Sequence, residues 1–168
     1  FHKNHKFRLH QSYKLPCILF LFALNSIVIS CTQLDVYEKN TTIPHYKWQH
    51  NYAVTGTFNI TDTAAAYNIY IVLRHTDSYK YNNIWLKAGL QTQGDTVFLQ
   101  NINLSLASDA KGWEGSGMND IWEVRKLLNN KPFRFKKRGE YKFTISHIMR
   151  DVPLTGVMSA GMRVQKAL

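Results

Sequence analysis

The side chain best placed to do chemistry is the thiol of Cys31, at the end of Val28-Ile29-Ser30-Cys31. An aliphatic residue stands three positions before the cysteine and a small residue stands directly before it. A thiol is the nucleophile that takes up a diacylglyceryl group, and a small side chain at the bond to be cut fits a peptidase. The pattern is that of a bacterial lipobox, and it predicts lipid attachment at Cys31 with cleavage just before it. Two or three acyl chains make a stable anchor where one alone is marginal. The other cysteine, Cys17, would leave with the leader, so no internal disulfide is expected.

Other reactive residue types are present without the spacing that chemistry needs. Gly115-Ser116-Gly117 has the outline of a serine nucleophile turn. That motif requires glycine two residues either side of the serine, and here those positions hold Glu114 and Met118. A tight loop that lets backbones approach closely is the reading taken. Beyond the leader the histidines are His45, His50, His75 and His147, and no two show metal-ligand spacing. No metal, no cofactor and no catalytic residue is expected, and an enzyme is the least favoured class.

The residues before Cys31 explain why it is positioned for export. Lys3, Lys6, Arg8 and Lys14 stand there without an acid, and the first acid is Asp35, so the leader carries four of the net +10 charges. An apolar run follows over residues 15–29, broken by Pro16, Asn25 and Ser26. As a helix it would reach roughly 22 Å, short of the ~30 Å hydrocarbon core. A basic end followed by such a run is a cleavable export signal. The sequence starts at Phe1, so the natural start is expected upstream. The expected organisation is a signal peptide at 1–30, a lipidated tether and first strand at 31–47, and a β-sandwich domain at 48–168.

From residue 52 onward the patterns have period two. Candidate strands are 52–60, 68–73, 84–91, 97–106, 140–146 and 157–164. In 84–91, Ile84, Leu86, Ala88 and Leu90 share one face, with Trp85 and Lys87 on the other. Leu99, Ile102, Leu104 and Leu106 are assigned to the core side of 97–106. In 140–146, Tyr141, Phe143 and Ile145 alternate with Lys142, Thr144 and Ser146. Residues 120–128 fit a helix or an edge strand, and strand is favoured because Asn129-Asn130-Lys131-Pro132 then forms a turn. A short helical turn is expected at 148–151, ended by Pro153. Short strands separated by turns predict an all-β fold, an antiparallel sandwich of jelly-roll or immunoglobulin-like type.

Lys131, Arg134, Lys136, Lys137 and Arg138 form a basic cluster with Phe133 and Phe135 between them. Nucleic acid is not an expected partner for an exported chain. A strand edge with phenylalanines inward and charges outward accounts for the pattern, and an anionic lipid or glycan is the functional alternative. Trp48, Trp85, Trp113 and Trp122 keep a glycan-binding reading open. Asp62-Thr63-Ala64 and Asp95-Thr96-Val97 match a short O-glycosylation pattern, but Asp and Thr also serve turns, and both readings stay open.

Three stretches carry a family resemblance: Tyr79-Lys80-Tyr81-Asn82-Asn83-Ile84-Trp85, residues 112–121 (GWEGSGMNDI) and residues 143–157 (FTISHIMRDVPLTGV). With the lipobox in its expected place, they look like the GldH family of gliding-motility lipoproteins of Bacteroidetes, over nearly all of 31–168. The resemblance implies a place in the envelope machinery for gliding, tied to type IX protein secretion, with other envelope proteins as partners. It implies no catalytic residue. Thr32-Gln33-Leu34 after the cysteine lacks the acidic signals for inner-membrane retention or surface export. The periplasmic face of the outer membrane is therefore expected.

The partner surface is expected at one loop-rich end of the sandwich. Its residues are Trp113, Gly115, Gly117, Met118 and Asp120, together with Arg150, Asp151, Pro153 and Leu154. Glycines turn the first segment, Trp113 and Met118 offer large apolar contacts, and Arg150 and Asp151 supply charge at the rim.

Overall fold

The computed structural model describes residues 36–167, apart from 93 and 96. Internal contacts divide the chain into Phe1–Leu34 and Asp35–Leu168, and the described residues all belong to the second unit. The leader, Cys17, Cys31 and Thr96 lie outside the described residues, as does the tether before Val36.

In chain order the strands are β1 (Val36–Thr42), β2 (Lys47–Trp48), β3 (Val54–Ile60), β4 (Tyr67–Thr76), β5 (Asn83–Thr92), β6 (Phe98–Ser105), β7 (Ala107–Ser108), β8 (Gly112–Trp113), β9 (Ser116–Met118), β10 (Ile121–Leu127), β11 (Gly139–His147), β12 (Leu154–Thr155) and β13 (Val157–Lys166). Among the described residues a single 3-10 turn, Pro44–Tyr46, interrupts them. One sheet runs β1-β13-β4-β10-β9 and a second runs β3-β11-β5-β6, and every pairing is antiparallel. Two short ribbons, β12-β2 and β7-β8, complete the set. The fold is the all-β antiparallel sandwich that the alternation implies.

Alternation is what holds it together. Ile84, Leu86 and Ala88 of β5 face Ile102 and Leu104 of β6 and Phe143 and Ile145 of β11, all in one buried cluster. The other sheet contributes Ile69, Ile71, Leu73, Val124, Met162 and Val164 to the same core. Aromatic rings bridge the layers: Tyr37 of β1 lies 5.4 Å from Phe58 of β3, and Phe135 lies 5.3 Å from Tyr67 and 4.8 Å from Tyr141. Burying a large side chain such as Phe143 contributes roughly 1.5–3 kcal/mol, and the core is a single connected set of such groups.

The register sorts the loops into two ends. At the proximal end β1, β4 and β11 begin and β5 and β10 finish; it carries the segments 61–66, 93–97 and 128–138. At the distal end β4 and β11 finish and β5, β10 and β13 begin; it carries 43–53, 77–82, 106–120 and 148–156.

Three sequence expectations are corrected. Residues 148–151 form no helical turn. Instead the Ile148 N–H donates to the Trp85 carbonyl at 2.9 Å, which prolongs the β11–β5 edge past His147 and leaves no turn to close. Leu99 is not a core residue; it is half-exposed because it sits one place out of phase with Ile102 and Leu104. The basic run 131–138 is not a strand edge. It is an irregular segment with a single bridge from Phe133 to Tyr67, in which Phe135 points inward and Phe133 is exposed.

Candidate functional site

The distal end is organised around the turn that leaves β4. The Thr76 N–H donates to the Gly156 carbonyl at 2.9 Å, and the Asp77 N–H donates to the Asp120 carbonyl at 3.0 Å. Trp122 Nε1–H donates to the Asp77 carboxylate at 2.6 Å. Thus the two segments singled out in the sequence, 113–120 and 150–156, reach the same short turn from opposite sides.

Each segment has a local cause for its shape. Ser116–Met118 and Ile121–Leu127 form a hairpin whose two-residue loop is Asn119-Asp120, with φ of 48° and 61°. Two positive φ values make the tight hairpin turn, which Asn and Asp tolerate better than most residues. Gly115 has φ of +95°, and a Cβ there would stand 2.2 Å from the Glu123 carbonyl oxygen. At Gly156, φ is +87°, and a Cβ would press on the Tyr79 backbone at 2.9 Å. The Val152-Pro153 peptide is cis.

The candidate residues separate into supports and exposed groups. Trp113 is half-buried, its ring 4.5 Å from His75 and 6.4 Å from Tyr79. Leu154 is buried and paired with Trp48, so it supports the end from below. Gly117 lies against the Trp122 ring. Pro153 is half-buried, and Asp151 pairs with Lys80 at 3.6 Å. Met118 is 76 % exposed, and Asp120 and Arg150 are exposed as well. Arg150 belongs to a neighbouring depression of about 450 Å³, lined with Tyr81, Trp85, Asn101, Ile148 and Met149. Alternation placed Trp85 outside, but only the β11–β5 contact at Ile148 reveals that Arg150 shares its surface.

Sequence reasoning gave Asp77 no role, and Tyr79 and Tyr81 entered it only within the stretch that carries the family resemblance. A signal was present in the polar Thr76-Asp77-Ser78 run between the candidate strands 68–73 and 84–91. Tyr79 is buried and donates to the Asn83 carbonyl at 2.9 Å. Burial holds its hydroxyl well above the usual phenol range. A hydrogen bond to the Asp151 carboxylate raises Tyr81.

His75 and His147 are buried with one ring nitrogen each left without a partner among the described residues. His75 Nδ1 lies 3.1 Å from the Thr76 carbonyl, and His147 Nε2 lies 3.0 Å from the Trp48 carbonyl. A carbonyl only accepts, so these nitrogens carry the proton and the orphans are His75 Nε2 and His147 Nδ1. Burial pushes both imidazoles below their ordinary pKa; His50 adds to this at His147. Among the described residues no group of three His, Cys, Asp or Glu is placed to hold a metal ion. No helix among them is long and apolar enough to cross a membrane.

A family model described as GldH lipoprotein matches residues 35–164. A gliding motility lipoprotein GldH homolog of Christiangramia forsetii is 26 % identical over 157 residues, covering 89 % of this chain and 95 % of that protein. The gliding motility lipoprotein GldH of Flavobacterium johnsoniae is 26 % identical over 156 residues, covering 89 % and 94 %. Among solved structures, the VP2 subviral particle of infectious bursal disease virus is similar with a TM-score of 0.32 and 16 % identity. That match covers 80 % of this chain and 33 % of the viral one.

Proposed function

Because the chain belongs to the GldH lipoprotein family, we propose that it is a lipid-anchored, non-enzymatic partner-binding component of the gliding-motility and type IX secretion machinery. We place it at the periplasmic face of the outer membrane. The observation that carries the reading is the convergence of 113–120 and 150–156 on the Thr76–Tyr79 turn. Buried supports on one side and exposed Met118, Asp120 and Arg150 on the other are the anatomy of a preformed contact surface. The lipid on Cys31 holds the domain to the membrane by its proximal end and leaves this distal end free for other envelope proteins.

The test separates folding from binding. Met118→Glu and Arg150→Glu lie on exposed positions and are expected to unfold at the parent temperature. Affinity purification of the lipidated protein from native membranes should then lose its envelope partners, and a deletion strain should not regain secretion or gliding. Full rescue by both stable variants would remove this surface from the mechanism.

A second reading has its own observation. Trp85 is 43 % exposed beside Tyr81, Asn101 and Arg150 in the open depression. An aromatic face next to hydrogen-bonding side chains is how protein surfaces stack and orient sugar rings. Trp85→Ala should abolish retention on envelope glycans if this is the site, and leave partner recovery intact.

A further inference from the structure

At the proximal end a cleft of about 630 Å³ opens between the sheets, with Phe98, Leu128 and Phe133 on its walls and Lys136 and Lys137 at its edge. Phe98 is 68 % exposed and Phe133 44 %. Val97 and Leu127 stand half-exposed nearby, at 42 % and 48 %. Exposed aromatic side chains grouped with cations on one end of a domain are unusual for a surface that meets only water. The cations of the 131–138 segment are mostly uncommitted. Lys137 pairs with Asp95 and Arg134 donates to the Ala64 carbonyl. Lys131, Lys136 and Arg138 are exposed without a carboxylate partner among the described residues. Glu140 is the exposed acid closest to them in the chain, and Asp62 pairs with Lys166.

The same end is where the chain leaves toward Cys31. Val36 opens β1 opposite Gln165, beside the start of β4. Five residue steps separate Val36 from Cys31, and at 3.3–3.6 Å each they span no more than about 18 Å. An acyl anchor at Cys31 therefore keeps this end, and not the distal one, within reach of a bilayer.

We propose that the proximal end is a second membrane-binding element, which seats Phe98 and Phe133 in the bilayer interface and reads anionic phospholipid headgroups through Lys131, Lys136 and Arg138. The chemistry is complementary. Aromatic rings partition into the interface, and clustered Lys and Arg are drawn to a negatively charged leaflet within a Debye length. The element adds to the acyl anchor and fixes which end of the sandwich faces the membrane. It builds on the lipid-anchor reading, so the experiment reports the two separately.

The experiment uses the acylated protein, from which Cys17 has left with the leader, carrying one added cysteine, Phe98→Cys or Met118→Cys, labelled with an environment-sensitive fluorophore. It is reconstituted in vesicles of phosphatidylcholine alone or with phosphatidylglycerol. Flotation with pure phosphatidylcholine vesicles reports the acyl anchor. The label at 98 should shift to an apolar signal when phosphatidylglycerol is present, and the label at 118 should remain aqueous in both. Lys131→Gln with Lys136→Gln and Arg138→Gln should weaken the phosphatidylglycerol-dependent insertion by roughly two orders of magnitude, at about fivefold per charge removed, while flotation is unchanged. Raised salt should act in the same direction. An aqueous signal at 98 in phosphatidylglycerol vesicles would overturn the proposal. So would an equal shift with short-chain phosphatidylcholine below its micelle concentration, because a single acyl chain would then be filling the cleft.

Discussion

The imidazole of His50 lies tilted at 47° against that of His147, their ring centroids 4.5 Å apart, at the base of the distal end. His147 is buried, while His50 is exposed and reaches the Met149 carbonyl at 2.8 Å. A proton added to His147 would create a buried charge on an Nδ1 that has no acceptor, next to a second basic ring. His75 presents the same difficulty at Nε2 beneath Trp113.

That arrangement makes stability depend on pH with a defined sign. Both histidines have folded-state pKa values lowered by burial. The unfolded chain therefore takes up protons first as pH falls. Their stabilising contribution is complete above the unfolded value of about 6.5 and is lost progressively as pH falls toward the lowered folded values, by up to about 1.4 kcal/mol per unit for each group. Thermal unfolding between about pH 7.5 and pH 5 should show Tm falling below about 6.5. A flat profile would contradict the buried, neutral assignment.

A further loss is expected at lower pH from Glu38. Partial burial disfavours its charge, but hydrogen bonds from Arg163 and Asn40 and the nearby Arg125 outweigh burial and lower its pKa. The contribution is present above the ordinary carboxylate value and disappears as pH falls through the lowered one. Glu38→Gln should lessen the fall of Tm below about pH 4.5, to which Asp62 and Glu114 also contribute, and leave the histidine window untouched.

Gly115 and Met118 are three residues apart and should behave oppositely. Gly115→Ala places a Cβ 2.2 Å from the Glu123 carbonyl oxygen at φ of +95°. It should cost about 2–4 kcal/mol by denaturant titration. Met118→Ser changes an exposed side chain and should stay within about 0.5 kcal/mol. Equal losses at both positions would mean that the hairpin is not built as described.

Anchoring and sidedness can be checked in cells. With a cleavable substitute leader, Cys31→Ala should leave the domain folded and release it from membranes. Protease added to intact cells should leave the lipidated protein undigested, and digestion would place it outside.

The parts of the fold that were legible in the sequence are those where one face is dry and the other wet. Ile84, Leu86 and Ala88, and Tyr141, Phe143 and Ile145, are buried in the phase their spacing implies. Legibility fails where tertiary contacts set the conformation. A helical turn at 148–151 is expected ahead of Pro153, but the backbone bond from Ile148 to Trp85 continues the strand pairing past His147 instead. Phe133 and Phe135 have strand spacing, yet one bridge to Tyr67 is all the pairing available at that sheet end. The Asn119-Asp120 hairpin could have been found, since a polar pair between Met118 and Ile121 is a turn signal. The depression around Trp85 and Arg150 could not, because it depends on two segments 65 residues apart in the chain.

The pairing of β1 has a mechanical consequence. β1 lies antiparallel to β13 through seven residue pairs, from Val36 opposite Gln165 to Thr42 opposite Ser159. A pull that enters at Cys31 and is resisted by a partner on the distal loops runs along the strand axis. The hydrogen bonds of that ladder are then loaded together in shear, where a force across the strands would peel them one pair at a time. Under such a pull the β1–β13 seam would carry the load through all seven pairs at once.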